Sequence, residues 1–171
     1  TFAYKVGAID VPKDERRMHK VPIPRMGGLA IFLGFIISVL LFVEVDDQMK
    51  GILLGSVIIV VMGIIDDITP LRASLKFVIQ ILAALIPVYY GVQITCISNP
   101  NLFSDNPYWN FGWLSIPITV IWIVGLTNAV NLIDGLDGLA IGVSSISALT
   151  MLAIAILVAE PQVAVIMAAL V

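Results

Sequence analysis

Three groups of polar residues interrupt an otherwise almost continuously apolar chain, and each carries residue types suited to phosphate and metal chemistry. The first is the adjacent pair Asp66-Asp67, which closes an apolar run, with Lys76 ten residues further on. Two neighbouring carboxylates at such a place are costly unless they face water, a cation or a partner. At a helix C-terminus the macrodipole also works against them. Hard oxygen ligands of this kind suit Mg2+, which keeps several waters and takes one or two carboxylates together with substrate phosphates. Lys76 would bring a point charge to the same phosphates. The plainer reading is a solvated helix boundary, which Lys or Asn would serve better.

The second group is the run Asn128-Ala-Val-Asn131-Leu-Ile-Asp134-Gly-Leu-Asp137-Gly-Leu-Ala140. Asn128, Asn131 and Asp134 recur every third residue, so on a helix they share one side within roughly 120° of arc. They end an apolar segment, where polar residues are expensive and tend to be functional. Gly135 and Gly138 would break the helix and let backbone approach a ligand. Asp137 then falls at the start of the next helix, where its charge complements the N-terminus, and capping alone would account for it.

The third group is basic. It contains Asp10, Arg16, Arg17, His19, Lys20 and Arg25, stiffened by Pro12, Pro22 and Pro24, and it enters an apolar run through Gly27-Gly28. Guanidinium forks and ammonium groups suit phosphate oxygens. A topology anchor, or attraction to anionic headgroups, would use the same residues.

The elements that must hold these groups are read from composition. The chain has 171 residues, is 60% hydrophobic and only 12% charged, and its mean hydropathy is +1.06. Soluble domains are roughly 45–50% apolar and about 25% charged. The spacing predicts an all-α, polytopic transmembrane helix bundle forming a single integral membrane domain over residues 1–171. Its expected spans are Gly27–Val43, Gly51–Ile65, Leu75–Gly91, Leu114–Ile133 and Leu139–Ala159, with a truncated sixth from Val163 onward. The second run is short, and its helix should extend toward Met49 and Asp67. The net charge of −3 gives no reason to expect a nucleic-acid partner. The lone Cys96 excludes an internal disulfide and reads as a free loop thiol. The chain opens with Thr1 and stops inside an apolar run, which reads as a piece of a longer chain.

Sidedness follows from the basic residues. With the segment before Gly27 inside, Lys5, Lys13, Arg16, Arg17, Lys20, Arg25, Arg72 and Lys76 are all inside, and only Lys50 is outside. This is a strong positive-inside bias. It sets residues 66–74 and 134–138 on the cytoplasmic face, and residues 44–50, 92–113 and the turn at Glu160–Pro161 outside. All three polar groups then share the inner face, which scattered structural charges would have no reason to do. In the outer loop, Tyr108, Trp109, Phe111 and Trp113 read as an interfacial aromatic belt, with Tyr89 and Tyr90 just before it. The strand character of Val92–Ile97 predicts a small external hairpin.

The residues now in view resemble a known family. NAVNLIDGLDGLA over Asn128–Ala140, and Asp66-Asp67 with Lys76, are similar to the signatures of the polyprenyl-phosphate N-acetylhexosamine 1-phosphate transferases, of glycosyltransferase 4 type. Within that family the chain resembles the bacterial undecaprenyl-phosphate N-acetylglucosamine 1-phosphate transferases that start teichoic acid and other envelope glycans. The segment DVPKDERRMHKVPIPRMGG is similar to the teichoic-acid and enterobacterial-antigen branch. The branch that uses UDP-N-acetylmuramoyl-pentapeptide reads KxGTPTMGG there.

The resemblance implies a cell-membrane, multi-pass enzyme with a cytoplasmic active site. It would move N-acetylglucosamine 1-phosphate from UDP-GlcNAc to undecaprenyl phosphate, and its partners would be those two substrates and membrane lipid. The implied cofactor is Mg2+, with Mn2+ as its substitute. Asp66, Asp67, Asp134 and Asp137 are implied as catalytic carboxylates, and Asn131, Asp66 and Asp67 as metal ligands. Lys76 is implied at the nucleotide diphosphate, with Asn128, Arg16, Arg17 and His19 as further substrate contacts. The family's later metal-binding aspartate and His-rich sugar loop have no counterpart here. Another UDP-N-acetylhexosamine or UDP-MurNAc-pentapeptide would need the same chemistry. Two other classes fit less well. A transporter would place its carboxylates near the midplane on broken helices, and a lipid-binding scaffold would need neither the aspartate pair nor the Asn/Asp line.

Overall fold

The computed structural model describes residues 9–10, 23–24, 27–100, 106–136 and 138–171. Six helices follow one another among them: α1 Gly27–Phe42, α2 Asp47–Ile68, α3 Ala73–Tyr89, α4 Ser115–Ile133, α5 Leu139–Leu157 and α6 Pro161–Leu170. Each grows from one of the apolar runs, so the all-α, multi-pass expectation holds. α2 lengthens at both ends, as expected for the shortest run. Its start is fixed by Asp46, whose carboxylate accepts from the backbone N–H of Met49 at 2.7 Å. Asp47 follows in the first turn, where negative charge suits the helix N-terminus.

Three segments are long and apolar enough to cross a membrane: Asp47–Ile68, Gly112–Ile133 and Leu139–Leu157. The second gains its length from the 3-10 turn Gly112–Leu114 that leads into α4. α1 and α3, expected as complete spans, are apolar but only 16 and 17 residues long. At about 1.5 Å per residue they fall a turn or so short of a hydrocarbon core of roughly 30 Å.

The outward faces of the bundle are apolar. Phe42 is 72% exposed, Ile121 71% and Leu132 83%. Such a surface belongs in lipid, where helices satisfy every backbone polar group internally. The buried contacts use small side chains, among them Ala83, Ala84, Ala140, Ala148 and Ala155, as expected where bundles pack without a hydrophobic drive between helices.

α2 and α3 form the tightest pair, and they run antiparallel. Near the start of α2, Gly51 and Gly55 lie against Pro87 and Tyr90 at the end of α3. A β-carbon at Gly55 would stand 2.8 Å from the carbonyl oxygen of Ala83, so only glycine permits this approach. α4 runs antiparallel to α3. Its start is tied to the segment beyond α3 by the Thr119 hydroxyl, which accepts from the backbone N–H of Ile94 at 2.9 Å. Val39, Val43 and Met49 form a buried cluster flanked by Phe35, Leu53, Val165 and Ile166. It joins α1, α2 and α6 at the end opposite the polar groups.

A hairpin is present in the expected loop, with its first strand at Cys96–Ser98 rather than over Val92–Ile97. Cys96–Ser98 pairs antiparallel with Tyr108–Asn110, with Ile97 opposite Trp109. The aromatic residues expected as a belt thus also supply a strand. A second, unexpected antiparallel pair joins Ile9–Asp10 to Ile23–Pro24. Arg16, Arg17 and His19 lie between those two strands, outside the described residues, as does Asp137.

Candidate active site

Antiparallel packing of α2, α3 and α4 brings the C-terminal end of α2, the N-terminal end of α3 and the C-terminal end of α4 to one end of the bundle. Two of the three polar groups meet there. Asp66 lies in the last turn of α2, which contains no basic residue. Its Oδ2 accepts from Lys76 Nζ at 2.6 Å, and its Oδ1 accepts from the backbone N–H of Leu71 at 2.8 Å. The cation and the amide offset the unfavourable position of a carboxylate at a helix C-terminus. Both partners of the ion pair are about two-thirds buried. Lys76 was expected at a substrate diphosphate; in this structure it is bound to Asp66, so any phosphate contact must compete with or share that pairing. Asp67 is half-buried beside it and is also engaged.

One turn further along α3, Gln80 faces α4. It is only 6% exposed. Its Oε1 accepts from Asn128 Nδ2 at 2.6 Å, and the same nitrogen donates to the Val124 carbonyl at 2.8 Å. Lys76 and Gln80 are four residues apart and so neighbours on one helix face. A row of polar contacts therefore crosses three helices, from Asp66 through Lys76 and Gln80 to Asn128.

Asn131 and Asp134 continue toward the end of α4, and both are exposed. Asp134 is the C-cap residue, and its backbone N–H donates to the Val130 carbonyl. The helix stops where Gly135 was expected to stop it. Gly138 precedes α5 with φ of 79°, a left-handed conformation for which glycine is suited. The cap position of α5 is Gly138 itself and makes no side-chain cap bond.

Gln80 was missed in the sequence reading. The available signal was a lone amide inside an apolar helix, one turn from Lys76. Such a residue has no motif around it, and only the packing against α4 gives it meaning.

A model of glycosyl transferase family 4 matches residues 49–171, which takes in every one of these contacts. The chain belongs to that family.

Three relatives of this family 4 chain bear directly on the site. A Bacillus subtilis (strain 168) protein named "probable undecaprenyl-phosphate N-acetylglucosaminyl 1-phosphate transferase" is 44% identical over 156 residues, covering 91% of this chain and 42% of the relative. A Mycobacterium tuberculosis (strain CDC 1551 / Oshkosh) decaprenyl-phosphate N-acetylglucosaminephosphotransferase is 36% identical, covering 86% of this chain and 38% of the relative. A Heliobacterium modesticaldum (strain ATCC 51547 / Ice1) phospho-N-acetylmuramoyl-pentapeptide-transferase is 37% identical, covering 84% and 47%. The chain thus spans less than half the length of these relatives.

Members of the family generally depend on a divalent metal. The donor chemistry here fits Mg2+. Among the described residues no group of three or more His, Cys, Asp or Glu side chains is arranged to hold a metal. Mg2+ sites are commonly completed by water and substrate phosphates around one or two carboxylates. The Asp66 oxygens each engage one donor in the contacts above and can accept more than one.

Proposed function

We propose that this chain carries part of the active site of an enzyme that transfers N-acetylglucosamine 1-phosphate from UDP-GlcNAc to undecaprenyl phosphate, releasing UMP, at the cytoplasmic face of the cell membrane. The product would be the first lipid-linked intermediate of a teichoic-acid-like envelope glycan. The observation that carries this reading is the Asp66–Lys76 pair beside the exposed amide of Asn128 at one end of the bundle. It combines oxygen ligands for a divalent cation, a mobile cation for phosphate and polar contacts for a nucleotide sugar.

In this reading an oxygen of the lipid phosphate attacks the phosphorus next to the sugar. The new P–O bond forms as the bond to UMP breaks. Little covalent work falls to the protein, and positioning with charge neutralisation does most of it. Lys76 would move from Asp66 toward the diphosphate as the nucleotide enters. Asp66 and Asp67, with Asn131, would hold Mg2+, or Mn2+ in its place, which when bound neutralises charge on the diphosphate. Asp134 and Asp137, on the loop between α4 and α5, would complete the polar rim. Arg16, Arg17 and His19 would hold phosphate or headgroup from the basic segment. A covalent route, in which one aspartate attacks first, is the alternative.

The test is release of UMP from UDP-GlcNAc by membranes carrying the full-length protein, with and without added undecaprenyl phosphate. Acceptor-dependent UMP release supports the reading. The muramoyl relative supports a second substrate, UDP-MurNAc-pentapeptide. Turnover of that nucleotide in preference to UDP-GlcNAc would reject the assigned sugar while keeping the chemistry.

A further inference from the structure

Gln80 has no part in the reaction as written, yet its burial sets it apart. It sits midway along α3 and lines an apolar cavity of about 420 Å3 with Phe32, Ile59, Ala84, Ile123 and Thr127. A side-chain amide in such surroundings costs free energy unless it is hydrogen-bonded. Leucine would fill the place without that cost. The bond Gln80 makes is to Asn128.

That bond constrains what Asn128 can do. The Val124 carbonyl can only accept, so the atom of Asn128 facing it must be the nitrogen. The same nitrogen meets Gln80 Oε1. Both N–H groups of Asn128 are therefore committed, one within α4 and one across to α3. Among the described residues, no donor reaches its Oδ1. An amide held this way can accept a hydrogen bond and cannot donate one. It has nothing to offer a phosphate oxygen, which leaves the phosphates to Lys76, one turn along the same face of α3.

We propose that Gln80 is a positioning residue that holds Asn128 as an acceptor-only contact for an N–H or O–H group of the nucleotide sugar, in its uridine or its sugar and not in its diphosphate. The proposal rests on the nucleotide-sugar reading of the site. It assigns Asn128 a ligand chemistry opposite to that of Lys76.

Affinity is measured directly on the purified full-length protein in lipid nanodiscs, for UDP-GlcNAc and for UMP, each with Mg2+ and with EDTA. Failure of the wild type to bind UDP-GlcNAc would overturn the site reading and this inference with it. With the wild type binding, Gln80→Leu should weaken UDP-GlcNAc about 3- to 10-fold, the worth of one neutral hydrogen bond. Gln80→Glu keeps an acceptor oxygen toward Asn128 and should lie closer to wild type. Gln80→Leu added to Asn128→Ala should cost nothing further. An equal loss for UMP places the donor in uridine, and a loss confined to UDP-GlcNAc places it in the sugar. Unchanged affinity in Gln80→Leu with a lowered unfolding temperature would make Gln80 a helix-packing contact only and overturn the proposal. A loss that disappears in EDTA would put Asn128 on the cation and overturn it equally.

Discussion

Replacing Lys76 with Met keeps the unbranched apolar stem of the side chain and removes its charge, and the structure gives this change two consequences. Asp66 loses the cation at 2.6 Å, while the Leu71 amide remains on its other oxygen. The nucleotide loses a charge-assisted contact, worth about 1.5–3 kcal/mol. At about 1.4 kcal/mol per tenfold, that is on the order of 10- to 150-fold in affinity for UDP-GlcNAc. The two consequences separate in a cycle with Asp66→Asn. If Lys76 serves only to neutralise Asp66, the double variant contains neither charge and should recover most of the lost affinity. If Lys76 moves to the diphosphate, the double variant should be at least as weak as Lys76→Met alone, and weaker to the extent that Asp66 also holds the cation. KM for UDP-GlcNAc and for undecaprenyl phosphate, measured on the full-length enzyme, decides between them. The expected result is a raised KM for the nucleotide, a near-constant KM for the lipid, and no rescue in the double variant. An unchanged nucleotide KM in Lys76→Met, or full rescue by Asp66→Asn, would refute the phosphate role.

Three further outcomes are expected. Gly55→Val should destabilise the α2–α3 pair, because even its β-carbon meets the Ala83 carbonyl oxygen at 2.8 Å; overpacking of this kind costs about 1–3 kcal/mol, read as a lower unfolding temperature in detergent. In a Cys96→Ser background, Asn110→Cys on the outer hairpin should react with an impermeant thiol reagent in intact cells, and labelling only after permeabilisation would reverse the assigned sidedness. Asn131→Ala should nearly abolish turnover and leave residual activity that needs more Mg2+; full activity at unchanged Mg2+ would remove Asn131 from the metal's ligands.

The first five helices were legible because each apolar run exceeds a typical strand in length and ends on or beside Gly or a charge. That Asp66 and Lys76 lie at one end of the bundle was legible as well, although their direct pairing was not, since Lys76 was expected on a substrate diphosphate. A ten-residue offset across a short turn places both at one end of an antiparallel pair. Two other features were not legible. The hairpin strand Tyr108–Asn110 was read as an aromatic belt, since aromatic residues suit both roles and pairing with Cys96–Ser98 depends on a register the local pattern does not contain. Gln80 gave no signal because its meaning lies in Asn128, which is 48 positions away in the chain. The line Asn128, Asn131 and Asp134 was read as one polar side of a helix, carrying in turn a substrate contact, a metal ligand and a catalytic carboxylate. In the folded chain the first has its N–H groups committed and the other two lie exposed toward the end of α4.

The shape of a pH–rate curve separates the two roles open to the aspartate pair. A general base would be needed only while the acceptor phosphate carries a proton. The second pKa of a phosphate monoester is about 6, so above roughly pH 6.5 most of the acceptor is already dianionic without help. If Asp67 acts as a base, Asp67→Asn should hurt most at low pH, and the loss should shrink as the acceptor ionises unaided. If Asp67 organises charge around the diphosphate, the loss should be nearly constant from about pH 6.5 to 9, because the acceptor's ionisation near pH 6 lies below that window. We expect the second shape. Asp66 is held by the Lys76 ammonium and a backbone amide, and Asp67 is half-buried and engaged beside it, so both side chains are fixed in position. The expected result for Asp67→Asn is therefore a lower curve parallel to that of the wild type. Recovery of most of the activity by pH 9 would overturn it and return the pair to base catalysis.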